Sequence, residues 1–194
     1  MAWRRRRLME RKMKSSVRRN LDEQQLFEYA VGALARKMRS VHELKNLMRA
    51  RVEPGEAGEQ RIDSVVKRLK ELRYLSDTRF AADYTRLRRE NEKYGQRRVQ
   101  QDLLRKGVAK DLVAAAIGKA YEETDEAALA REYIARKRIS RPSGDDASKQ
   151  AARIMGRLLR AGFAPGTIYK VLREWDVEVE EIEVDEAMDA DETQ

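Results

Sequence analysis

Two stretches of the chain repeat the same order of apolar and polar positions. Residues 102–117 read DLLRKGVAKDLVAAAI, and residues 157–172 read RLLRAGFAPGTIYKVL. On both sides of the shared glycine, Gly107 or Gly162, the apolar residues recur at spacings of three and four, which is the period of an amphipathic helix. Each glycine stands where a helix ends in the left-handed conformation, which any Cβ would strain. Each stretch is therefore predicted to form two helices joined by a tight glycine turn.

A third and looser copy of the pattern lies earlier in the chain. LMRARV, residues 47–52, corresponds to LLRKGV, with Arg51 at the place of the glycine. The stretch EPGEAGEQR, residues 53–61, follows as an inserted loop before the helical period resumes at Ile62. The longer loop is expected to make the turn that the other two copies make with glycine.

A further amphipathic stretch precedes each pair of helices, and several start signals support the helices. The three stretches begin their apolar positions at Leu26, Phe80 and Leu129. Ser40 with Glu43 forms a capping box, and Ser76 is an N-cap residue. Pro165 suits the first turn of a helix that follows Gly162.

These patterns predict an all-α protein built from three tandem three-helix repeats, at 22–75, 76–122 and 123–175. A unit of about 45 residues is marginally stable alone, so neighbouring repeats are expected to share buried surface. The repeats are predicted to form an elongated curved rod with a long surface for one extended partner.

Charge is distributed unevenly around this helical body. The net charge is +8, with +8 carried by residues 1–19, +10 by residues 20–175 and −10 by residues 176–194. Like-charge blocks rarely pack, so residues 1–21 are predicted to be a basic flexible arm and residues 176–194 an acidic flexible tail. The chain has no cysteine and no apolar run of the roughly 18 residues that span a bilayer, which favours a cytoplasmic location.

The sequence offers little for catalysis. His42 is the single histidine, so a histidine-based zinc site or triad lacks partners, and His42 is interpreted as an ordinary helix residue. Neither G-x-x-x-x-G-K-[ST] nor G-x-G-x-x-G occurs, so no phosphate-binding loop is predicted. The chain is expected not to be an enzyme and to hold no cofactor or metal.

The basic residues of the middle repeat are the candidate partner-binding residues. On its first helix Phe80, Tyr84 and Leu87 are expected to face inward, and on its second Val99, Leu103 and Leu104. The candidates on the outer faces are Arg79, Arg88, Arg97, Arg98, Arg105 and Lys106. Such faces contact phosphates or an acidic protein groove. The alternative is a solvated face with ion pairs four residues apart, such as Arg79–Asp83 and Arg86–Glu90.

Three blocks of the sequence resemble the bacterial RecX regulators. RYLSDTRFAADYTRLRRENEKYGQRRVQQDLLRKGV, residues 73–108, is similar to the family's central region. Residues 33–48 resemble its first repeat and residues 157–172 its last, so the resemblance extends over about 22–175. The matching positions are Tyr74, Leu75, Asp77, Arg79, Phe80, Ala81, Tyr84, Arg88, Gly95, Arg98, Leu103, Lys106, Gly107 and Val108. The departures are Ser76, where an acidic residue is frequent, the loop at 53–61, and both charged ends.

The resemblance implies a regulatory function. Family members bind the RecA recombinase filament on single-stranded DNA and restrain its ATPase, strand-exchange and co-protease activities, and many also bind DNA. The implied partners are therefore the RecA filament and single-stranded, or also double-stranded, DNA, bound by a monomer. The alternative is a basic helical DNA- or RNA-binding protein that acts independently of a recombinase.

Overall fold

The computed structural model describes residues 20–175, and within that range the chain forms nine helices and no strand. The helices are α1 (Glu23–Arg36), α2 (Val41–Arg49), α3 (Glu56–Glu71), α4 (Asp77–Glu92), α5 (Gln96–Arg105), α6 (Lys110–Tyr121), α7 (Glu126–Arg136), α8 (Ala147–Arg160) and α9 (Pro165–Arg173). The predicted all-α class is confirmed. The predicted arm and tail lie outside the described residues, apart from Asn20 and Leu21.

Several helices begin after a residue whose side chain accepts from one of their first N–H groups. Ser40 forms the predicted capping box, since its Oγ accepts from Glu43 N–H at 3.1 Å and the Glu43 carboxylate accepts from Ser40 N–H at 3.3 Å. Ser76 Oγ accepts from Arg79 N–H at 3.3 Å, and Pro165 lies in the first turn of α9, both as predicted. Asp22 with Gln25 forms a second capping box at the start of α1.

The loop predicted over residues 53–61 is shorter than expected. Helix α3 already begins at Glu56, directly after Gly55, whose φ is +115°. Residues 56–61 include helix formers, and Glu56 and Glu59 lie in the first turn, where the helix dipole favours acidic side chains. Gly58 lies inside the helix, and glycine is required there because an added Cβ would lie 2.0 Å from the Glu53 carbonyl oxygen.

The predicted longer loop therefore does not explain why the first repeat makes its turn without glycine at position 51. Helix α2 ends at Arg49, and its C-cap residue, Ala50, keeps right-handed helical angles (φ −75°, ψ −2°). Arg51 N–H donates to the Met48 carbonyl at 2.8 Å, and Arg51 is not among the residues with positive φ. A side chain is tolerated at position 51 because the turn does not pass through the left-handed region.

The described residues divide into two compact units. Unit 1 comprises the described residues through Phe80 together with Lys106–Val108, and unit 2 comprises Ala81–Arg105 and the residues from Ala109 onward. In unit 1, helices α1, α2 and α3 pack around side chains with no solvent exposure, which include Leu26, Leu44, Met48, Ile62 and Leu69. Burying each such side chain contributes about 1.5–3 kcal/mol before entropy is counted.

Unit 2 contains a core between α7, α8 and α9 and a packed pair of helices, α5 and α6. Leu158, Ile168 and Leu172 are fully buried in the core. Phe163 meets Tyr133 edge to face, with ring centroids 5.7 Å apart. Val99, Leu103, Val113 and Ile117 are the buried positions of α5 and α6.

One residue expected to face inward does not. Leu104 is 37% exposed, and its counterpart in the later copy, Leu159, is 36% exposed. The buried positions of α5 are Val99 and Leu103, four residues apart, so Leu104 lies about 100° further around the helix.

Among residues 20–175, no helix has the length and apolar content needed to cross a membrane.

Candidate partner-binding face and the glycine turns

The turn at Gly162 ends α8 and has the geometry of a Schellman motif. Gly162 has φ +92°. Its N–H donates to the Leu159 carbonyl at 2.9 Å, and Phe163 N–H donates to the Leu158 carbonyl at 3.3 Å. Both Leu158 and Phe163 are buried, which supplies the apolar contact that usually accompanies this motif.

The same turn lies against the beginning of α5, within unit 2. A Cβ added at Gly162 would lie 2.3 Å from Arg98 N and 2.5 Å from Arg98 Cβ. Gly95 N–H donates to the Ala161 carbonyl at 2.9 Å, and a Cβ at Gly95 would lie 2.2 Å from the Gly162 carbonyl oxygen. Two glycines therefore allow backbone to meet backbone, and this contact fixes the start of the helix that carries Arg97 and Arg98.

The turn at Gly107 makes the corresponding contact in unit 1. Gly107 has φ +72°, and an added Cβ would lie 2.5 Å from both Cβ and Cγ of His42. Ser40 Oγ donates to the Lys106 carbonyl at 2.5 Å, and Lys106 Nζ lies 2.6 Å from the Glu43 carboxylate. His42 thus lies against a turn, which its place in the sequence did not reveal.

The ion pair between Lys106 and Glu43 changes the titration of Glu43. Burial alone would raise the pKa of Glu43. The hydrogen bonds from Lys106 and from Ser40 N–H, with the charge of Lys106, outweigh burial and hold the pKa below its ordinary value of 4.5. Lys106, predicted as a partner-binding residue, is therefore half-buried and engaged within unit 1.

Two of the predicted residues, Arg98 and Arg105, lie at Asp102 in unit 2, and a third, Arg88, contacts the Tyr84 side chain that donates to Asp102. The Asp102 side chain is 12% exposed and accepts a hydrogen bond from Tyr84 Oη at 3.3 Å. It pairs with Arg105, and its Oδ1 lies 3.4 Å from Arg98 Nε without hydrogen-bond geometry. The Arg88 guanidinium stands 4.8 Å from the centroid of the Tyr84 ring, a cation–π distance. Sequence reasoning missed Asp102, although its spacing from Arg98 and Arg105 is that of a helical ion pair.

The remaining predicted residues do not join that network. Arg97 is exposed on α5, and no ion pair of Arg97 occurs among the described residues. Arg79 is exposed in unit 1, with Nη1 3.5 Å from the Arg73 carbonyl oxygen. The six candidates therefore do not form one cluster, and Arg97 and Arg105 are the two that lie exposed on α5.

The solvated-face alternative is supported on α4. The Arg86–Glu90 pair is present at 3.2 Å, as that alternative expects. Asp83 pairs with Arg86 at 3.5 Å, so the expected Arg79–Asp83 pair is replaced. The outer face of α4 is thus partly neutralised by its own carboxylates.

A basic face on α8 was not among the predicted sites. Arg153, Arg157 and Arg160 are exposed there, and the helix contains no acidic residue. When residues 157–172 are aligned with 102–117, Arg157 takes the position of Asp102. That alignment is the only signal in the sequence that the two helices differ in the charge of their exposed faces.

The chain is similar to proteins of one family over most of its length. A family model described as RecX, second three-helix domain, matches residues 76–117. The regulatory protein RecX of Thermobifida fusca is 30% identical over 152 residues, which covers 78% of each chain. The protein of the same name from Geobacillus kaustophilus is 29% identical over 157 residues, which covers 81% of this chain and 56% of the relative. The chain thus spans little more than half of that longer relative.

Two solved structures share the fold. The crystal structure of RecX from Lactobacillus salivarius superposes with a TM-score of 0.58 at 20% identity and covers 80% of this chain and 97% of the other. A crystal structure of regulatory protein RecX superposes with a TM-score of 0.63 at 19% identity, over 78% of this chain and 73% of the other. At these identities the likeness concerns the fold alone.

Proposed function

The chain belongs to the RecX family of regulatory proteins, and we propose that it binds the RecA recombinase filament on single-stranded DNA. Binding restrains the ATPase, strand-exchange and co-protease activities of the filament. The observation that carries this proposal is the relative that is 30% identical over 78% of both chains. The proposal that RecA is the partner rests on the family relationship and not on the geometry of any one residue.

The outer face of α5 is the proposed contact with the filament. Arg97 and Arg105 are exposed on it, eight residues apart. The helix is a rigid platform because its first turn is fixed by the backbone contact between Gly95 and Ala161. Charged side chains on such a platform contribute to binding when a partner buries them, whereas exposed ion pairs contribute under about 1 kcal/mol.

The proposed role is regulatory and not catalytic. Among residues 20–175 no group of three or more potential metal ligands occurs, and the polar networks around Asp102 and Glu43 are ion pairs within the fold. We further propose that the protein acts as a monomer in the cytoplasm.

The test is a recombinase ATPase assay with substoichiometric protein and the variant Arg97→Ala with Arg105→Ala. Arg98 is left unchanged because its backbone lies against Gly162. Inhibition is expected to weaken at least about tenfold, which corresponds to about 1.4 kcal/mol of binding. Circular dichroism establishes that the variant is folded.

The matched control is Arg5→Ala with Arg6→Ala, which removes two charges from the amino-terminal segment. We propose that this segment contributes only a screened, non-directional attraction, so the control is expected to keep most of the inhibition. Loss of inhibition in the control, with retention in the α5 variant, would assign the activity to the amino-terminal segment instead.

A second candidate function is nucleic-acid binding without a recombinase. It is favoured by the net charge of +10 on residues 20–175. A steep linear fall of log affinity with log salt on bare DNA, with no binding to filaments above that salt, would favour this candidate. Retained filament binding at such salt favours the regulator.

A further inference from the structure

The exposed side of α8 carries a row of arginines that lack a carboxylate partner. Arg153, Arg157 and Arg160 follow one another at spacings of four and three, so they lie on one side of the helix, and all three are exposed. No ion pair of these three arginines occurs among the described residues, whereas Lys149 is paired with Asp146 at 3.0 Å. Like charges at these spacings destabilise a helix, so the row does not serve the stability of α8 itself.

A strip of small and apolar residues runs beside the arginines. Ala152, Gly156 and Leu159 also stand at spacings of four and three, about 100° around the helix from the row of arginines. Ala152 is exposed, Gly156 is half-buried and Leu159 is 36% exposed. A Cβ added at Gly156 would meet only the end of the Arg160 side chain, at 3.4 Å, so core packing does not require glycine there. The exposed side of α8 therefore offers positive charge and an apolar strip next to each other.

The segment that follows the described residues has the complementary composition. Residues 176–194 contain ten Asp or Glu residues and no Lys or Arg. Its first part, residues 176–185, reads DVEVEEIEVD, in which four apolar residues are interspersed among six carboxylates. Such a segment can pair carboxylates with arginines while its Val and Ile side chains cover an apolar strip. Residues 1–19, with a net charge of +8, have the wrong sign for this face.

The chain leaves unit 2 beside the core that α8 helps to form. Trp175, the last described residue, packs against the same core as Ile154, Met155 and Leu158 of α8. The Trp175 carbonyl accepts a hydrogen bond from the side chain of Arg141, which lies shortly before α8 in the sequence. Nineteen residues follow Trp175 and extend at most about 60 Å, whereas α8 is about 21 Å long. The segment is therefore long enough to follow the whole helix.

We propose that residues 176–194 dock on the α8 basic face, defined by Arg153, Arg157 and Arg160, and cover it within the same chain. Arginine suits carboxylates because its planar fork of N–H donors matches their two oxygens. Covalent attachment gives the segment an effective concentration on the order of millimolar at the face, so even a contact of low intrinsic affinity is occupied. Any other acidic partner of this face must first displace the segment. The inference goes beyond the proposed function, which involves neither α8 nor residues 176–194.

The test places a nitroxide spin label on α8 of the full chain and records the broadening of the backbone amide signals of residues 176–194. The chain has no cysteine, so Ser148→Cys, at an exposed position in the first turn of α8, provides a single attachment site. At about 0.05 M salt, where the Debye length is about 14 Å, the label is expected to broaden the signals of residues 177–185. Most of this broadening should be lost when Arg153→Gln with Arg157→Gln is added. It should also be lost at about 0.5 M salt, where the Debye length is about 4 Å.

The matched control adds Arg86→Gln with Arg136→Gln to the same labelled chain. It removes the same two charges from exposed arginines of unit 2 that are already paired, with Glu90 and Glu92 respectively. The control is expected to keep the broadening of the labelled chain that has no further substitution. Circular dichroism establishes that both variants remain folded.

Four outcomes would overturn the proposal. The first is a labelled chain whose residues 176–194 show no broadening at low salt. The second is an α8 variant that keeps the broadening in full, and the third is equal loss in the α8 variant and the control, which would indicate a response to net charge alone. The fourth comes from a mixture of isotope-labelled chain without nitroxide and nitroxide-labelled chain without isotope. Broadening in that mixture as strong as within one chain would place the segment on a second copy. None of these measurements involves a recombinase, so their failure is distinguishable from failure of the proposed function.

Discussion

The turns at Gly107 and Gly162 follow the same sequence pattern but are anchored by different chemistry. In unit 1 the Lys106 carbonyl accepts a hydrogen bond from the Ser40 side chain, 66 residues earlier in the sequence. In unit 2 the carbonyl at the corresponding place, that of Ala161, accepts from the backbone N–H of Gly95, at the same separation in sequence. One carbonyl position is therefore satisfied once by a side chain and once by the main chain.

The difference teaches what each anchor requires of the sequence. The side-chain anchor depends on Ser40, on Glu43 and on a lysine, so part of it titrates. The backbone anchor depends on the absence of side chains, because a Cβ at Gly95 would collide with the backbone at Gly162, and a Cβ at Gly162 would collide with Arg98. The backbone contact therefore tolerates fewer substitutions than the side-chain contact. The side-chain contact, in turn, can change in strength with pH.

The largest expected effect is that of Gly162→Ala. The substitution strains a residue at φ +92° and places a Cβ 2.3 Å from a backbone nitrogen, which only a shift of α5 or α8 can relieve. Strain and overpacking together are expected to lower the free energy of unfolding by about 3 kcal/mol or more. The measurement is urea unfolding followed by the fluorescence of Trp175, which packs against the core of unit 2, in a Trp3→Phe background.

A double-mutant cycle sharpens the contrast with Gly107. Gly107→Ala is expected to cost about 2 kcal/mol, and His42→Gly should recover part of that loss because the collision is with His42 Cβ and Cγ. Arg98→Gly should recover less of the Gly162→Ala loss, since Arg98 N remains in place. Equal recovery in the two cycles would contradict the distinction between side-chain and backbone contact.

The glycines also show how far the sequence could be read. Their role as helix ends follows from the repeated pattern, because the spacing of apolar residues on either side is local information. Their second role, the close approach to His42 and Arg98, joins residues that are more than sixty positions apart, and no spacing rule reveals it. The prediction of an inserted loop over residues 53–61 is wrong because helix α3 already begins at Glu56. The predicted loop includes both Gly55 and Gly58, whereas Gly58 lies inside α3, where an added Cβ would lie 2.0 Å from the Glu53 carbonyl oxygen.

The candidate site was predictable only in part for a similar reason. Periodicity identified the exposed Arg97 and Arg105 correctly as outer residues of α5. It did not reveal that Asp102 gathers Arg98, Arg105 and Tyr84, because that network includes a contact between two helices. The basic face of α8 was visible in the sequence as a helix without acidic residues, but its exposure and lack of ion pairs depend on packing.

A smaller effect is expected from Ser40→Ala. The substitution removes the N-cap of α2 and also leaves the Lys106 carbonyl without the Ser40 hydroxyl. Loss of a cap costs about 1 kcal/mol, and loss of the hydrogen bond to a part-buried carbonyl adds about another 1 kcal/mol. The free energy of unfolding of unit 1 is therefore expected to fall by about 2 kcal/mol, measured by urea unfolding followed by circular dichroism.

The matched control is Asp22→Ala, at the N-cap of α1. Asp22 forms the same kind of capping box, but its side chain accepts from Gln25 N–H in an exposed position. Its replacement should cost only the cap, about 1 kcal/mol. Equal losses for the two substitutions would show that the Ser40–Lys106 hydrogen bond contributes nothing and would leave Gly107 without its side-chain anchor.

The smallest effect, and the one that separates the two turns most directly, is the pH dependence of the Glu43–Lys106 pair. Because the folded pKa of Glu43 lies below the value of 4.5 that it has when unfolded, the pair stabilises the fold above about pH 4.5. That contribution is lost as the pH falls through the lower folded pKa. Glu43→Gln cannot titrate, so the difference in unfolding free energy between the unmodified chain and the variant should shrink on acidification below about pH 5. For a half-buried pair the change is expected to stay below about 1 kcal/mol.

Glu59→Gln serves as the comparison, since Glu59 also has a lowered pKa, from its hydrogen bond with Arg49, but lies in an exposed pair away from the turn. An equal or larger change for Glu59→Gln would mean that the anchor of Gly107 has no special titration. A larger change for Glu43→Gln than for Glu59→Gln would show that acid weakens the side-chain anchor of the Gly107 turn by more than it weakens an exposed ion pair.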